Sequence, residues 1–139
     1  MKRYALLGTS LSHSFSQQYF SEKFLKEKIE NTEYFNKELV NLNSLKKKIT
    51  QLNLSGFNVT IPYKEEIIKQ LDVLSEQANI VQSVNTVKVI RGKLHGYNTD
   101  VFGFEQSLIP FLKNRNQAII LGNGGASKSI QYVLKKLNI

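Results

Sequence analysis

Short apolar runs alternate along this chain with segments whose apolar residues recur every three to four positions. Residues 4–7, 34–40 and 57–61 are strand-like runs, and helical patterns follow them, with Ser14 or Ser16 available to cap the first helix and Ser44 at the start of the second. Strands that alternate with helices form a mostly parallel sheet covered by helices. The sequence therefore predicts an α/β fold with helices on both faces of the sheet.

The second half of the chain continues this alternation. Pro62 ends the third strand ahead of a helix over residues 65–71, and Arg91-Gly92-Lys93 predicts a tight turn between strands 86–90 and 94–98. Thr99 or Asp100 would cap the next helix. The composition turns polar at residues 114–116, and then a strand over 118–121 and a helix over 126–137 are expected. We place a domain boundary there, between residues 1–113 and 114–139.

Composition excludes several classes of function. The chain has 139 residues, 41% of them hydrophobic, so it can bury a core of about one domain. It has no cysteine, which fits a reducing compartment, and no apolar run long enough to cross a bilayer. We therefore expect a cytoplasmic protein with no membrane partner. The two histidines, His13 and His95, have no carboxylate cluster beside them, so no metal site is expected.

The chain is basic, with 19 Lys and Arg against 11 Asp and Glu and a net charge of +8. Such a balance raises the possibility of a nucleic-acid partner. The only run of cations, Lys46-Lys47-Lys48, falls among apolar residues at helical spacing, which predicts a solvated helix face. No recognition motif accompanies it, so we expect no nucleic acid. The sequence carries no indication of the oligomeric state.

Polar residues cluster at the predicted ends of strands, where ligands of parallel sheets bind. Lys64 follows the third strand, Asn85 precedes the fourth, and Asp100 follows the hairpin. Each has a plain structural interpretation, as a surface lysine, a strand-end amide and a helix cap. Ser14 and Ser16, two positions apart at a helix start, could hold a carboxylate or simply cap the helix.

A glycine-rich turn with the sequence GNGG, residues 122–125, lies between the last predicted strand and the last predicted helix. This is the context of a dinucleotide-binding turn, because glycines let the backbone approach a pyrophosphate and the helix start offers amide donors. The alternative is an ordinary tight turn between a strand and a helix. Residues that could bind the cofactor here are Gly122, Asn123, Gly124, Gly125 and Ala126.

Five segments in order resemble the shikimate dehydrogenase family: HSFS at 13–16, GFNVTIPYK at 56–64, VNT at 84–86, GYNTD at 96–100 and GNGGASK at 122–128. The resemblance implies reversible, nicotinamide-dependent interconversion of 3-dehydroshikimate and shikimate on the route to aromatic amino acids. It implies NADP as the usual cofactor, with NAD as the alternative. It also implies a shikimate-binding substrate domain over 1–113 and the beginning of a Rossmann-like dinucleotide-binding domain over 114–139.

The resemblance also implies roles for individual residues. Lys64 would be catalytic together with Asp100, and both would contact the ring hydroxyls beside Asn85. The substrate carboxylate side would be held by Ser14, Ser16 and Thr60. Glu76 matches a position that the family associates with the cofactor, although a solvent-exposed helical glutamate is the simpler interpretation.

Other functions stay open at this stage. Within the enzyme class, a quinate/shikimate or aminoshikimate dehydrogenase is the nearest competitor. A non-catalytic carboxylate-binding module or a basic nucleic-acid-binding domain is the alternative from another class. The residue that reads the ribose lies about 20 residues beyond a glycine turn of this kind, which is past Ile139, so we expect little or no turnover from this chain alone.

Overall fold

A computed structural model describes residues 1–113 and 115–139. Its strands are β1 (Lys2–Gly8), β2 (Thr32–Glu38), β3 (Leu54–Val59), β4 (Val73–Leu74), β5 (Thr86–Ile90) and β6 (Lys93–Tyr97). Its α-helices are α1 (Ser16–Lys26), α2 (Leu45–Gln51), α3 (Glu76–Val81), α4 (Asp100–Leu112) and α5 (Gly125–Lys136).

The strands form one six-stranded sheet in the order β2-β1-β3-β5-β6-β4. β1 pairs in parallel with β2 and β3, and β4 pairs in parallel with β6, whereas β5 is antiparallel to both of its neighbours. This arrangement confirms the predicted α/β fold with a mostly parallel sheet.

Alternate residues of the central strands divide between two apolar clusters, as the two-residue period of a strand requires. On one face Ala5, Leu7 and Phe57 pack with α2 and α3 in the main core. On the other face Leu6 and Tyr34 pack against α1. Helices therefore cover both faces of the sheet, as the sequence predicts.

The predicted hairpin is formed by β5 and β6. Arg91 and Gly92 have φ angles of 49° and 77°, so both turn residues are left-handed, as in the two-residue turns that match the twist of a hairpin. Gly92 adopts this angle without strain because it has no Cβ atom, and Arg91 adopts it as well. The hairpin brings Asn85, before β5, next to the residues that follow β6.

Two local predictions differ from the structure near the starts of helices. The segment after Pro62 forms a short 3-10 helix, Glu66–Gln70, instead of an α-helix over 65–71. In α1 the N-cap position is Phe15, whose side chain makes no capping bond, so neither Ser14 nor Ser16 is the N-cap. Phe15 already has helical backbone angles, which puts Ser14 one position outside the helix.

The expected strand over residues 118–121 is also wrong, since these residues have no regular secondary structure. Ile119 and Leu121 are 89% and 94% exposed. A strand needs a neighbouring strand for its backbone hydrogen bonds, and within residues 1–113 and 115–139 no strand of the sheet pairs with this segment. The helix that follows does form, because Val133 of α5 packs against Val81 and Val101 in a third apolar cluster.

Candidate active site

Lys64 and Asp100 meet at one end of the sheet. Lys64 lies in the turn between β3 and the 3-10 helix, and Asp100 is the first residue of α4. The Lys64 Nζ atom donates a hydrogen bond to Asp100 Oδ2 at 2.7 Å. The side chains are 16% and 33% exposed, so the pair is partly desolvated while a ligand can still reach it. Residues 36 positions apart therefore form one charged pair.

Asn85 joins the same pair. Its Nδ2 atom donates to Asp100 Oδ1 at 2.7 Å, so the two carboxylate oxygens have different partners. Asn85 Oδ1 accepts from the Thr99 backbone N–H at 2.9 Å, which fixes the orientation of the amide. The structure thus brings together the three residues that the sequence associates with the ring hydroxyls.

Asp100 is available for this role because another residue caps α4. Asn98 Oδ1 accepts a hydrogen bond from the Val101 backbone N–H at 3.1 Å, while the N-cap residue Thr99 makes no capping bond with its side chain. Thr99 therefore occupies the predicted N-cap position, but the capping hydrogen bond comes from Asn98 and from neither Thr99 nor Asp100. The amide of Asn98 reaches three residues ahead, so the Asp100 carboxylate can face Lys64 and Asn85.

A chain of polar side chains leads from Asn85 towards α1. Thr86 Oγ1 donates to Asn85 Oδ1 and accepts from Asn58 Nδ2, each at 3.0 Å. The Tyr34 hydroxyl donates to Asn58 Oδ1 at 2.9 Å. Burial raises the pKa of Tyr34 to about 12, against a smaller lowering by the neighbouring Ser16 hydroxyl. Tyr34 is thereby linked to the charged pair through Asn58, Thr86 and Asn85.

Sequence reasoning did not identify Tyr34 or Asn58 as residues of the site. Asn58 has a usable signal, because it is polar between the apolar residues Phe57 and Val59, and so faces away from the main core. Tyr34 has none, since an aromatic residue in a strand is equally consistent with simple packing.

Among the described residues, no hydrogen bond joins Ser14 or Thr60 to this network of polar side chains. Ser14 Oγ accepts from the Ser16 backbone N–H at 3.2 Å. Thr60 follows β3 and its backbone N–H donates to Leu7 O at 2.9 Å. Within residues 1–113 and 115–139, no side-chain hydrogen bond joins Thr60 to the other predicted substrate residues.

The glycine turn lies beside Lys64. A Cβ atom added to Gly125 would come within 2.8 Å of Ser83 Oγ and 2.9 Å of Lys64 Cβ, so only glycine fits there. A Cβ added to Gly122 or Gly124 would meet nothing within 4 Å. Asn123 and Ala126 are exposed. Gly125 therefore packs against Lys64 and Ser83, whereas Gly122 and Gly124 have open space around their backbone.

A second ion pair holds α5 near this site. Lys128 Nζ donates to Oε2 of Glu65, the residue that follows Lys64. Glu76 is not part of this group. It is exposed in the first turn of α3, where a carboxylate complements the helix dipole. In the described part of the chain it makes no ion pair with any of these residues.

Two cavities differ in their position relative to Lys64 and Asp100. A cavity of about 310 Å³ between α4 and α5 is lined by Asp100 and Ser129, among others. A larger groove of about 660 Å³ lies on the other face of the sheet, next to Phe20, Phe24 and Tyr34, and includes neither Lys64 nor Asp100. We place the candidate site beside the smaller cavity, because Asp100 lines it and Lys64 bonds to the Asp100 carboxylate.

Within residues 1–113 and 115–139, no group of three or more His, Cys, Asp or Glu side chains could hold a metal ion. In the same residues no helix is both long and apolar enough to cross a membrane.

Comparison with known proteins identifies the family. Residues 6–87, more than half of the chain, match the family described as the shikimate dehydrogenase substrate binding domain. The chain belongs to this family. The match contains Ser14, Ser16, Lys64 and Asn85, whereas Asp100 and the glycine turn lie beyond it.

Three similar proteins extend the comparison past the matched region. The shikimate dehydrogenase (NADP(+)) of Clostridium beijerinckii is 41% identical over 96% of this chain. The structure of shikimate dehydrogenase 1 from Peptoclostridium difficile covers 98% of this chain with 38% identity and a TM-score of 0.88. That of shikimate 5-dehydrogenase from Thermus thermophilus, in complex with NADP(H) and shikimate, covers 100% with 29% identity and a TM-score of 0.85.

The chain spans about half the length of the relatives that it matches, with 51% of the Clostridium beijerinckii protein covered. In the two solved structures it covers 53% and 54% of the chain.

Proposed function

We propose that this chain is the substrate-binding half of an NADP-dependent shikimate dehydrogenase, which interconverts 3-dehydroshikimate and shikimate. The observation that carries the proposal is the Lys64–Asp100 pair, with 2.7 Å between Nζ and Oδ2, beside the start of the glycine-turn helix. Membership of the family and the names of the similar proteins support the same substrate. The reaction belongs to the synthesis of aromatic amino acids.

The substrate ring is proposed to lie against Lys64, Asn85 and Asp100. An amide, an ammonium and a carboxylate together offer donors and acceptors for vicinal ring hydroxyls. Ser14, Ser16 and Thr60 are proposed to hold the carboxylate side, because hydroxyls and amides at the start of α1 can donate to an anion.

The glycine turn fits the pyrophosphate of a dinucleotide. The first amides of a helix have no partner within the helix and carry a partial positive charge. The backbone at Gly122 and Gly124 is open, since a Cβ there would meet no atom within 4 Å. We propose that Gly122, Asn123, Gly124, Gly125 and Ala126 hold the phosphates of NADP. The assignment of Glu76 to the cofactor has only the family resemblance behind it.

The chemistry divides between cofactor and protein. When bound, NADP(H) supplies or accepts the hydride. Reduction of a ring ketone leaves negative charge on its oxygen, which the Lys64 ammonium stabilises and to which it donates a proton. Asp100 holds the ammonium in place by its 2.7 Å hydrogen bond. In the oxidation direction the neutral amine of Lys64 accepts the hydroxyl proton.

The proposed partners are a small-molecule substrate and NADP, without nucleic acid. We propose a cytoplasmic location, with which the absence of cysteine from the sequence agrees.

Calorimetry with shikimate tests substrate binding in the 139-residue protein itself. Asp100→Asn should weaken binding by roughly tenfold or more, because hydrogen bonds to charged groups contribute about 1.5–3 kcal/mol. Asp72→Asn is the matched control, since Asp72 forms a similar 2.6 Å pair with Lys46 away from the site. Equal shikimate affinity in the wild type and the Asp100 variant would contradict the proposal, as would no binding by the wild type.

Turnover tests the role of Lys64, in a form of the protein that carries a complete dinucleotide-binding domain. Lys64→Ala should lower kcat by roughly 10²- to 10⁴-fold with a smaller change in KM, as expected for a proton donor that acts in the transition state. Lys46→Ala is the control. Near-wild-type kcat in the Lys64 variant would remove this residue from catalysis.

The same assays separate the alternatives. Quinate and an aminoshikimate should be turned over more slowly than shikimate if the proposal is correct. A nucleic-acid binder would instead retain DNA with an affinity that falls steeply with salt, because binding to phosphates releases counterions.

A further inference from the structure

Asn98 is a buried amide whose polar atoms bond to three different segments. The residue is only 4% exposed. Its Nδ2 atom donates to the backbone oxygen of Ser83 and to Ser129 Oγ, both at 2.9 Å. Its Oδ1 atom accepts from the Val101 backbone N–H. A buried amide with every polar atom paired is held in one orientation.

One of these bonds leads to the charged pair. By capping Val101, Asn98 sets where α4 begins, and Asp100 is the first residue of that helix. The residue between them, Thr99, donates its backbone N–H to Asn85 Oδ1 at 2.9 Å, and Asn85 Nδ2 donates to Asp100 Oδ1. A displacement of Asn98 therefore moves both the backbone of Asp100 and the amide that orients its carboxylate.

Another bond leads to the helix that opens on the glycine turn. Ser129 lies in the second turn of α5 and is 1% exposed. Gly125 in the first turn packs against Lys64, where a Cβ would approach to 2.9 Å of Lys64 Cβ. The start of α5 is thus attached to both members of the pair, directly to Lys64 and through Asn98 to Asp100.

We propose that Asn98, with Ser129, is a positioning residue that couples the glycine-turn helix to the carboxylate of Asp100. The inference rests on the proposed function, since the coupling matters only if the turn binds a cofactor and Asp100 a substrate. Phosphate binding at the start of α5 would then be transmitted to the substrate side through the Ser129–Asn98 hydrogen bond. Asn98 itself touches neither ligand in this proposal.

Ser129→Ala tests the coupling without removing the cap of α4. Ser107→Ala is the control, because Ser107 is also a helical serine of this region and its hydroxyl donates only to the Gly103 carbonyl of α4. The first measurement is the nitrogen–proton NMR signal of the Asn85 side-chain amide, which reports its bond to Asp100. It should shift in the Ser129 variant and stay in place in the control, and an unshifted signal in the Ser129 variant would overturn the inference.

The second measurement is a double-mutant cycle on the shikimate Kd, combining Ser129→Ala with Asp100→Asn. Ser129→Ala alone should raise the Kd roughly three- to tenfold, and should have little further effect once Asp100 is replaced, because residues in one network are not additive. A purely structural role would give the same factor in both backgrounds and would overturn the inference. If the wild type binds no shikimate, the proposed function fails, while the Asn85 signal still reports whether the coupling exists.

Discussion

Two buried serines, Ser83 and Ser129, differ in whether the side-chain hydroxyl has a hydrogen-bond partner. Ser83 and Ser129 are 0% and 1% exposed. Ser129 Oγ accepts a hydrogen bond from Asn98, whereas Ser83 Oγ has no partner among the described residues. A buried polar group without a partner costs its desolvation free energy.

Ser83→Ala should therefore leave the free energy of unfolding unchanged or raise it by up to about 1 kcal/mol. Ser129→Ala should lower it by about 1 kcal/mol, because it leaves one Asn98 donor proton with no acceptor. Urea unfolding of the two variants measures both values. Equal destabilisation would mean that the Ser83 hydroxyl has a partner in solution.

Tyr34 gives the protein a specific response to high pH. Its pKa is raised from 10.0 to about 12 by burial, so the folded state keeps a proton that the unfolded state loses. This contribution to stability is fully present below pH 10 and is lost as the pH rises towards 12. The loss amounts to about 1 kcal/mol by pH 11. Tyr34→Phe should lower the free energy of unfolding near pH 8, because the variant lacks the hydrogen bond to Asn58. Its stability should then decline less than that of the wild type above pH 10. Identical alkaline profiles for wild type and variant would contradict the shifted pKa.

The position of α5 depends on one glycine in its first turn, Gly125. The glycine turn is expected to serve a phosphate, yet Gly125 is required for packing, because a Cβ would approach Ser83 Oγ and Lys64 Cβ to less than 3 Å. Gly124, one residue earlier, has open space around it. Adjacent glycines therefore have different roles, which stability and binding measurements can separate.

Gly125→Ala should lower the free energy of unfolding by about 1–3 kcal/mol, as inserted carbon atoms do in a packed interior. Gly124→Ala should change it by less than about 0.5 kcal/mol, as is usual for exposed positions. Urea unfolding of the two variants provides the comparison. If Gly125→Ala is as well tolerated as Gly124→Ala, α5 is not held against Lys64 in solution.

At the scale of the whole molecule, α5 also contributes to an apolar cluster with α3 and α4. Val133 packs with Val81 and Val101, and all three are buried. Among the described residues, the main core around Leu7 and Phe57 contains none from α5. The proposed division into residues 1–113 and 114–139 is still a prediction.

A chain that ends at residue 113 should fold cooperatively, because the main core is intact, but with a free energy of unfolding lower by about 3 kcal/mol. The estimate follows from exposing Val81 and Val101 at about 1.5 kcal/mol each. Urea unfolding followed by circular dichroism would measure the difference. A shortened chain without a cooperative transition would mean that α5 belongs to the same folding unit as the sheet.

Sequence reasoning was most successful where the cause is local. Apolar periods predicted every strand of the sheet except the two-residue β4, together with most helices, and Gly92 predicted the hairpin turn. It failed at residues 118–121, which have a strand pattern but no neighbouring strand in the described part of this chain. At α4 it identified the N-cap position, Thr99, but not the source of the capping bond, which is Asn98.

The amino-acid sequence alone established the fold class, because periodicity is a property of neighbouring positions, and its resemblance to a family led us to propose which residues carry the chemistry. The three-dimensional structure was needed to show that Lys64 and Asn85 both donate to the Asp100 carboxylate, and that Asn98 caps α4 and bonds to α5. These contacts join residues far apart in the chain, and hydrogen bonds depend on distances and angles that no local pattern specifies.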